Sequence, residues 1–276
     1  MQTKTLDLVA RSGYAARGVV YLIIGGLAVA AAVGSGKTVG SKGALATLSG
    51  EPWGQAVLVS IALGLFGYSL WRAVQALLDA DGHGTGAKAL VIRAGLFVSA
   101  VTHVLLGVYA LSLPFTLGAA SGGGGSSTKG AVAWVLQQPF GIYLLFIAGI
   151  CVFGAGVAQF WKGLSGKYQK RLDVDLALMT TLSPICAFGL AARGVVFMIV
   201  GGFVLYAAYT YDPDQAGGLA EALHWLRAQA YGQVLFLIVA LGLFAFGAYS
   251  VIEAVWRTIN VEAVPGSLTR GSVRAR

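Results

Sequence analysis

The stretch ARGVVYLIIGG at residues 16–26 returns as ARGVVFMIVGG at residues 192–202, and every difference exchanges one apolar side chain for another. A more worn copy lies between them: Arg11, Gly13, Tyr21 and Gly25 align with Arg93, Gly95, His103 and Gly107. The segments that follow repeat as well. PWGQAVLVSIALGLFGYSLWR begins at Pro52, QPFGIYLLFIAGICVFGAG at Gln138 and AYGQVLFLIVALGLFAFGAY at Ala230. Gly54, Gly141 and Gly232 then align, as do Phe66, Phe153 and Phe244. A unit of two long apolar segments written three times decides the architecture before any other feature is weighed.

Composition places those segments in a membrane. Hydrophobic residues make up 57% of the chain and charged ones 11%, whereas a soluble domain carries about 25% charged residues. Six stretches are long enough to cross a bilayer core as helices. They lie near residues 14–33, 55–78, 92–117, 140–163, 185–210 and 232–257. The expected fold is all-α, a polytopic membrane protein of six transmembrane helices in three parallel two-helix repeats. The units span 8–80, 90–166 and 184–260, with a disordered basic tail at 261–276. The N-terminal segment lacks a short apolar core followed by a small-residue cleavage site, so no cleaved signal peptide is expected.

Lysine and arginine orient the helices. Of the 19 in the chain, only Lys37, Lys42, Lys129 and Arg227 fall on the side opposite the termini. That asymmetry predicts both termini in the cytoplasm of a cell with the protein in its inner (plasma) membrane. The formal net charge of +8 is then a topology signal and an attraction to anionic headgroups. Nucleic acid is not an expected partner, because the charges are spread over several segments without a basic helix or a binding motif. Cys151 and Cys186 sit inside apolar stretches and read as buried small hydrophobes, neither a disulfide framework nor a metal site.

The loops opposite the termini repeat too. GALATLSGEPWG starts at Gly43, GAVAWVLQQPFG at Gly130 and GGLAEALHWLRAQAYG at Gly217. Each predicts a short interfacial helix, with Trp53, Phe140 and Tyr231 at headgroup level; a solute-binding mouth is the alternative. Ser121–Thr128, SGGGGSST, reads as a flexible connector without phosphate-loop context. The chain holds 40 glycines, many inside the spans. Gly18 and Gly25 share a helix face, as do Gly194 and Gly201, and small residues let membrane helices approach closely. A glycine-broken helix lining a transport site is the competing reading. Pro114 and Pro184 fall near span ends, which lends it little support.

Polar residues inside the spans are the candidate functional positions. His103 lies near the middle of the third span, where its repeat mates are Tyr21 and Phe197. An ionisable group at that depth is a candidate site, although a neutral histidine can also satisfy itself across helices. Glu253 lies a turn before the end of the sixth span, with Arg257 four residues on, a spacing suited to a local pair. Arg17 and Arg193 precede their GVV runs and are expected to snorkel to the interface, with a lipid-headgroup, anion or Glu253 contact as the alternative. Ser60, Ser69 and Ser99 are expected to bond back to their own helices. There is no HExxH, GxSxG or CxxC motif, so no catalytic, cofactor-binding or metal site is expected.

The unit ARxGYxARGVVYLxxGG, followed by a second segment ending LGLFGYSLWRAVQALLD, resembles a family of bacterial membrane proteins, the domain-of-unknown-function 1206 family. Its members carry this two-helix unit three times. The likeness covers about residues 8–260 and is sharpest over Arg11 to Gly26 and Ala192 to Gly202. The middle copy departs from it with Ser99 in place of the arginine, and the third with Ala187 where Arg11 and Arg93 stand. The resemblance implies fold and location, and no catalytic residues. Mitochondrial carriers also have three two-helix repeats, but their Pro-x-[Asp/Glu]-x-x-[Lys/Arg] marker is absent at Pro114 and Pro213. The expected function is a non-enzymatic helix-packing module. Its partners are membrane lipids, with other membrane proteins or a second copy as further candidates. The alternative is a small-solute or ion channel or transporter with a site near His103 and Glu253.

Overall fold

A computed structural model describes residues 2–34, 40–115 and 124–258. The tail at 261–276 and Lys37 lie outside them. Each repeat contributes a long helix, a short helix and a second long helix. The first is α1 (Gln2–Ala32), α2 (Ser41–Leu48) and α3 (Gly54–Leu78). The second is α4 (Ala87–Ser112), α5 (Gly124–Leu136) and α6 (Gly141–Leu164), and the third α7 (Leu176–Thr210), α8 (Leu219–Arg227) and α9 (Gly232–Trp256). Six of these helices are long and apolar enough to cross a membrane. The first apolar span starts at Asp7 and the fifth at Leu176, each several residues earlier than expected. Pro184 therefore lies inside α7, not near its end. Residues 124–128 of the connector are helical, whereas 121–123 lie outside the described residues.

The spanning helices form an incomplete ring, packed in the order α4, α3, α1, α9, α7, α6. The closest crossings join different repeats: α1 with α9, α3 with α4, α6 with α7. All three use one aligned pair. A Cβ added to Gly25 would lie 2.4 Å from the Phe244 nitrogen, and one at Gly201 would lie 2.6 Å from that of Phe153. At Gly107 it would lie 2.8 Å from the Phe66 ring. The glycine stripe is thus the surface through which repeats meet, since apolar burial gives no gain over lipid and close approach must hold helices together.

Within a repeat, α1 packs on α3 and α7 on α9, through Ala16 on Gly64 and Ala192 on Gly242. Gly13 on Tyr68 and Gly189 on Phe246 complete those contacts. The middle repeat breaks the pattern. Its equivalent residues are Val98 and Cys151, and Gly95 and Ala155. All four are exposed, and a Cβ at Gly95 would meet nothing within 4 Å. Valine and cysteine remove the small-on-small contact, and α4 and α6 stand apart as an open flank. Only 11% of the apolar window of α4 is buried, against 56% for α9. Cys151 therefore does not behave as a buried hydrophobe, whereas Cys186 does.

At the end opposite the termini, α5 packs against both α2 and α8. Each short helix turns into the next span in the same way. The amides of Gly54, Gly141 and Gly232 donate to the carbonyls of Glu51, Gln138 and Gln229. A Cβ at these glycines would meet the carbonyl oxygens of Leu48, Val135 and Arg227 at 1.7, 1.9 and 2.1 Å, so no other residue fits. Trp53, Phe140 and Tyr231, just before them, are exposed. At the end that carries the termini, α7 is capped by Asp175, whose carboxylate accepts the Leu178 amide at 2.8 Å. The Asp173 amide donates to Trp256 O, and the Thr258 amide to Arg171 O, tying the linker before α7 to the end of α9. In the turn after α3, the amides of Gly84 and His83 donate to Asp79 and hold its carboxyl below the usual carboxylate range.

Candidate functional site

A charged cluster lies between α1, α3 and α9, within the spans. Arg17 sits ten residues in from Asp7, about 15 Å along the helix, and is 4% exposed. It does not snorkel to the surface. Its side chain turns into the bundle, where Nη2 donates to Glu253 Oε2 at 2.5 Å and Nη1 to the Tyr68 hydroxyl at 2.5 Å. Nε completes the set with Ser250 Oγ at 3.2 Å. Arg257 donates to the other oxygen of Glu253, so one carboxylate serves two arginines. The guanidinium of Arg17 also lies over the rings of Tyr14, Tyr68 and Phe246, at 5.2, 4.9 and 5.2 Å from their centroids. Quadrupoles of three rings, one carboxylate and two hydroxyl groups compensate a charge that would otherwise be costly at this depth.

Tyr68 is the hub of this cluster. Its hydroxyl also receives Arg72 Nη2 at 2.5 Å and Nε at 2.8 Å. Its ring packs edge-on against Tyr14 and tilts against His103 at 4.6 Å. His103 Nδ1 lies 2.7 Å from the Ser99 carbonyl oxygen, one turn back, and serves as the donor there. Sequence reasoning did not single out Tyr68, Arg72 or Ser250. A tyrosine in an apolar run gives no sign of facing a buried arginine, though the charge of Arg72 inside a span was such a sign. Ser60 bonds back to Ala56 O, but Ser69 does not bond to its own helix. It donates across to Ala100 O at 2.7 Å, joining α3 to α4.

Arg193 is placed apart from Glu253. It is half-buried, and does not reach an exposed interface position either. Nε donates to the Tyr21 hydroxyl at 3.1 Å, and the guanidinium covers Phe197 and Phe246 at 4.2 and 4.6 Å. The structure thus brings Arg17 and Glu253 together, sets His103 one aromatic ring away, and places Arg193 over the Phe246 ring that Arg17 also covers. Gly18 lies on Val251 and Gly194 on Phe160.

A family model described as Domain of Unknown Function (DUF1206) matches the chain three times, at residues 12–79, 94–166 and 188–257. The protein belongs to this family. An uncharacterized protein of Bacillus subtilis (strain 168), YxxB, is 34% identical over 255 residues, which cover 91% of each chain. No solved structure matches.

A second polar feature lies at the opposite end, a cleft of about 350 Å³ between α5, α7 and α8. Its charges are engaged within the protein. Lys129 pairs with Asp214 at 3.2 Å, and Glu221 accepts the Gly218 amide at 2.8 Å. Among the described residues, no group of three or more His, Cys, Asp or Glu is arranged to hold a metal ion.

Proposed function

We propose that this protein is a non-enzymatic membrane module that packs with lipid or with partner membrane proteins, in the plasma membrane with both termini cytoplasmic. The observation that carries the reading is the open flank of the middle repeat. Two of the six spanning helices present bare apolar faces where the other repeats close on themselves, and such a face is filled by something in the bilayer. The charged cluster supports the same reading. Glu253 has both oxygens occupied by arginines, which makes it a strut between α1 and α9. The orientation rests on the lysine and arginine asymmetry. A cysteine placed at Lys167 is expected to react with an impermeant maleimide only from the cytoplasmic side; reaction from outside overturns the topology.

The transporter reading keeps one favourable observation: His103 stands beside Tyr68, which holds two arginines. Purified protein in liposomes separates the two. No flux of ions or small solutes above that of empty liposomes is expected. Flux that disappears on His103→Ala replaces the packing module with a permeation protein.

A further inference from the structure

The three crossings between repeats are built alike but charged differently. Where α1 crosses α9, Arg17 meets Glu253. The crossing of α7 with α6 uses the same glycine contacts, Gly194 on Phe160 and Gly201 on Phe153, in place of Gly18 on Val251 and Gly25 on Phe244. By that register its residues equivalent to Arg17 and Glu253 are Arg193 and Lys162. The third crossing carries Ser99 and Gln75, both uncharged. An ion pair in one copy is therefore two like charges in another.

The charge of Glu253 reaches Lys162 and Arg72 only from a distance. Among the described residues, Arg193, Lys162 and Arg72 form no ion pair with a carboxylate. Arg193 has the Tyr21 hydroxyl, Lys162 the Tyr249 hydroxyl at 3.4 Å, and Arg72 the Tyr68 hydroxyl and the Gln75 amide oxygen. All three are partly exposed, unlike Arg17. Arg72 bonds the Tyr68 hydroxyl, whose ring packs on His103 of α4 at 4.6 Å, while Lys162 lies on α6 and Arg193 on its neighbour α7. They lie on α6 and on the helices packed against α4 and α6, the two helices that border the open flank, whose walls are Gly95 and Val98 on one side and Cys151 and Ala155 on the other, all exposed. Cations without a directly paired carboxylate, beside an apolar opening between spanning helices, fit an anion that carries its own hydrocarbon.

We propose that Arg193 and Lys162, with Arg72 beside them, bind the phosphate of an anionic glycerophospholipid whose acyl chains lie in the open flank between α4 and α6. The phosphate supplies at this crossing the negative charge that Glu253 supplies at the other. A guanidinium and an ammonium both donate charge-assisted hydrogen bonds to phosphate oxygens. This deepens the lipid arm of the reading above and rests on it.

The test uses the full chain in detergent with phosphatidylglycerol, phosphatidylcholine or inorganic phosphate added, and reads retained lipid by native mass spectrometry. Phosphatidylglycerol should be retained selectively. The double variant Arg193→Gln, Lys162→Gln should retain about tenfold less, as for the loss of two charge-assisted contacts, while Lys162→Arg retains it. Gly95→Leu puts a side chain into the flank, where a Cβ at Gly95 meets nothing within 4 Å, and should also reduce retention, with thermal stability unchanged, so the proposal stays testable if the double variant does not fold. Equal retention of phosphatidylcholine, undiminished retention in either variant, or displacement by millimolar inorganic phosphate overturns this site. A wild-type protein that retains no lipid at all removes the lipid arm of the proposed function as well.

Discussion

Replacing Glu253 by glutamine is expected to destabilise the protein by about 3–5 kcal/mol, the usual cost of removing one member of a buried ion pair. Glu253 is 3% exposed and receives Arg17 on one oxygen and Arg257 on the other. Glutamine keeps the shape but turns an amide N–H₂ toward a guanidinium and removes the only carboxylate in the pair of contacts. Two arginines, each 4% exposed, are then left without a counter-ion between α1 and α9. Thermal unfolding in detergent, followed by tryptophan fluorescence, measures the effect. The matched control is Lys129→Gln, which breaks a pair whose side chains are 40% and 80% exposed and should cost less than about 1 kcal/mol. If both variants shift the midpoint equally, the cluster is not a strut.

Gly25→Leu should destabilise by about 1–3 kcal/mol through overpacking, while Gly26→Leu, one residue on, should be close to neutral. A Cβ at Gly25 falls 2.4 Å from the Phe244 nitrogen and 2.6 Å from its Cα, so backbone must move. A Cβ at Gly26 meets nothing within 4 Å. The third repeat offers the same pair: Gly201, against Phe153, should be intolerant, and Gly202, with open space, tolerant. Both members of a pair behaving alike would mean that helix propensity, not the crossing, governs these positions, because propensity is blind to which glycine faces a neighbour.

The repeated stretches at 16–26 and 192–202 made the architecture legible, because gene-internal repetition with two apolar segments per copy admits one orientation for every copy. The aligned glycines at 25, 107 and 201 and phenylalanines at 66, 153 and 244 were visible as well. That each glycine meets a phenylalanine from a different repeat was not, since alignment shows equivalence and says nothing of contact. The span starts at α1 and α7 lie earlier in the chain than the apolar runs imply, because polar residues and Pro184 interrupt the hydrophobic pattern without ending the helix. A partnered arginine can lie deep, however, and a proline can be carried in a long helix whose neighbours satisfy the freed carbonyl.

The sequence by itself determined the helical class, the three repeats and the polar positions, Arg17, Glu253 and His103 among them, because these follow from composition, period and the rarity of charge in apolar runs. Only the tertiary structure decided which charges meet. The pairing of Arg17 with Glu253 spans 236 residues of chain, and the neutral Tyr68 that completes it carries no signal in an apolar helix. Tertiary packing also decided that the ring stays open. Val98 and Cys151 look like ordinary apolar substitutions along the chain, but at a crossing that elsewhere sets Ala16 on Gly64 and Ala192 on Gly242 their extra atoms replace a close approach with a gap.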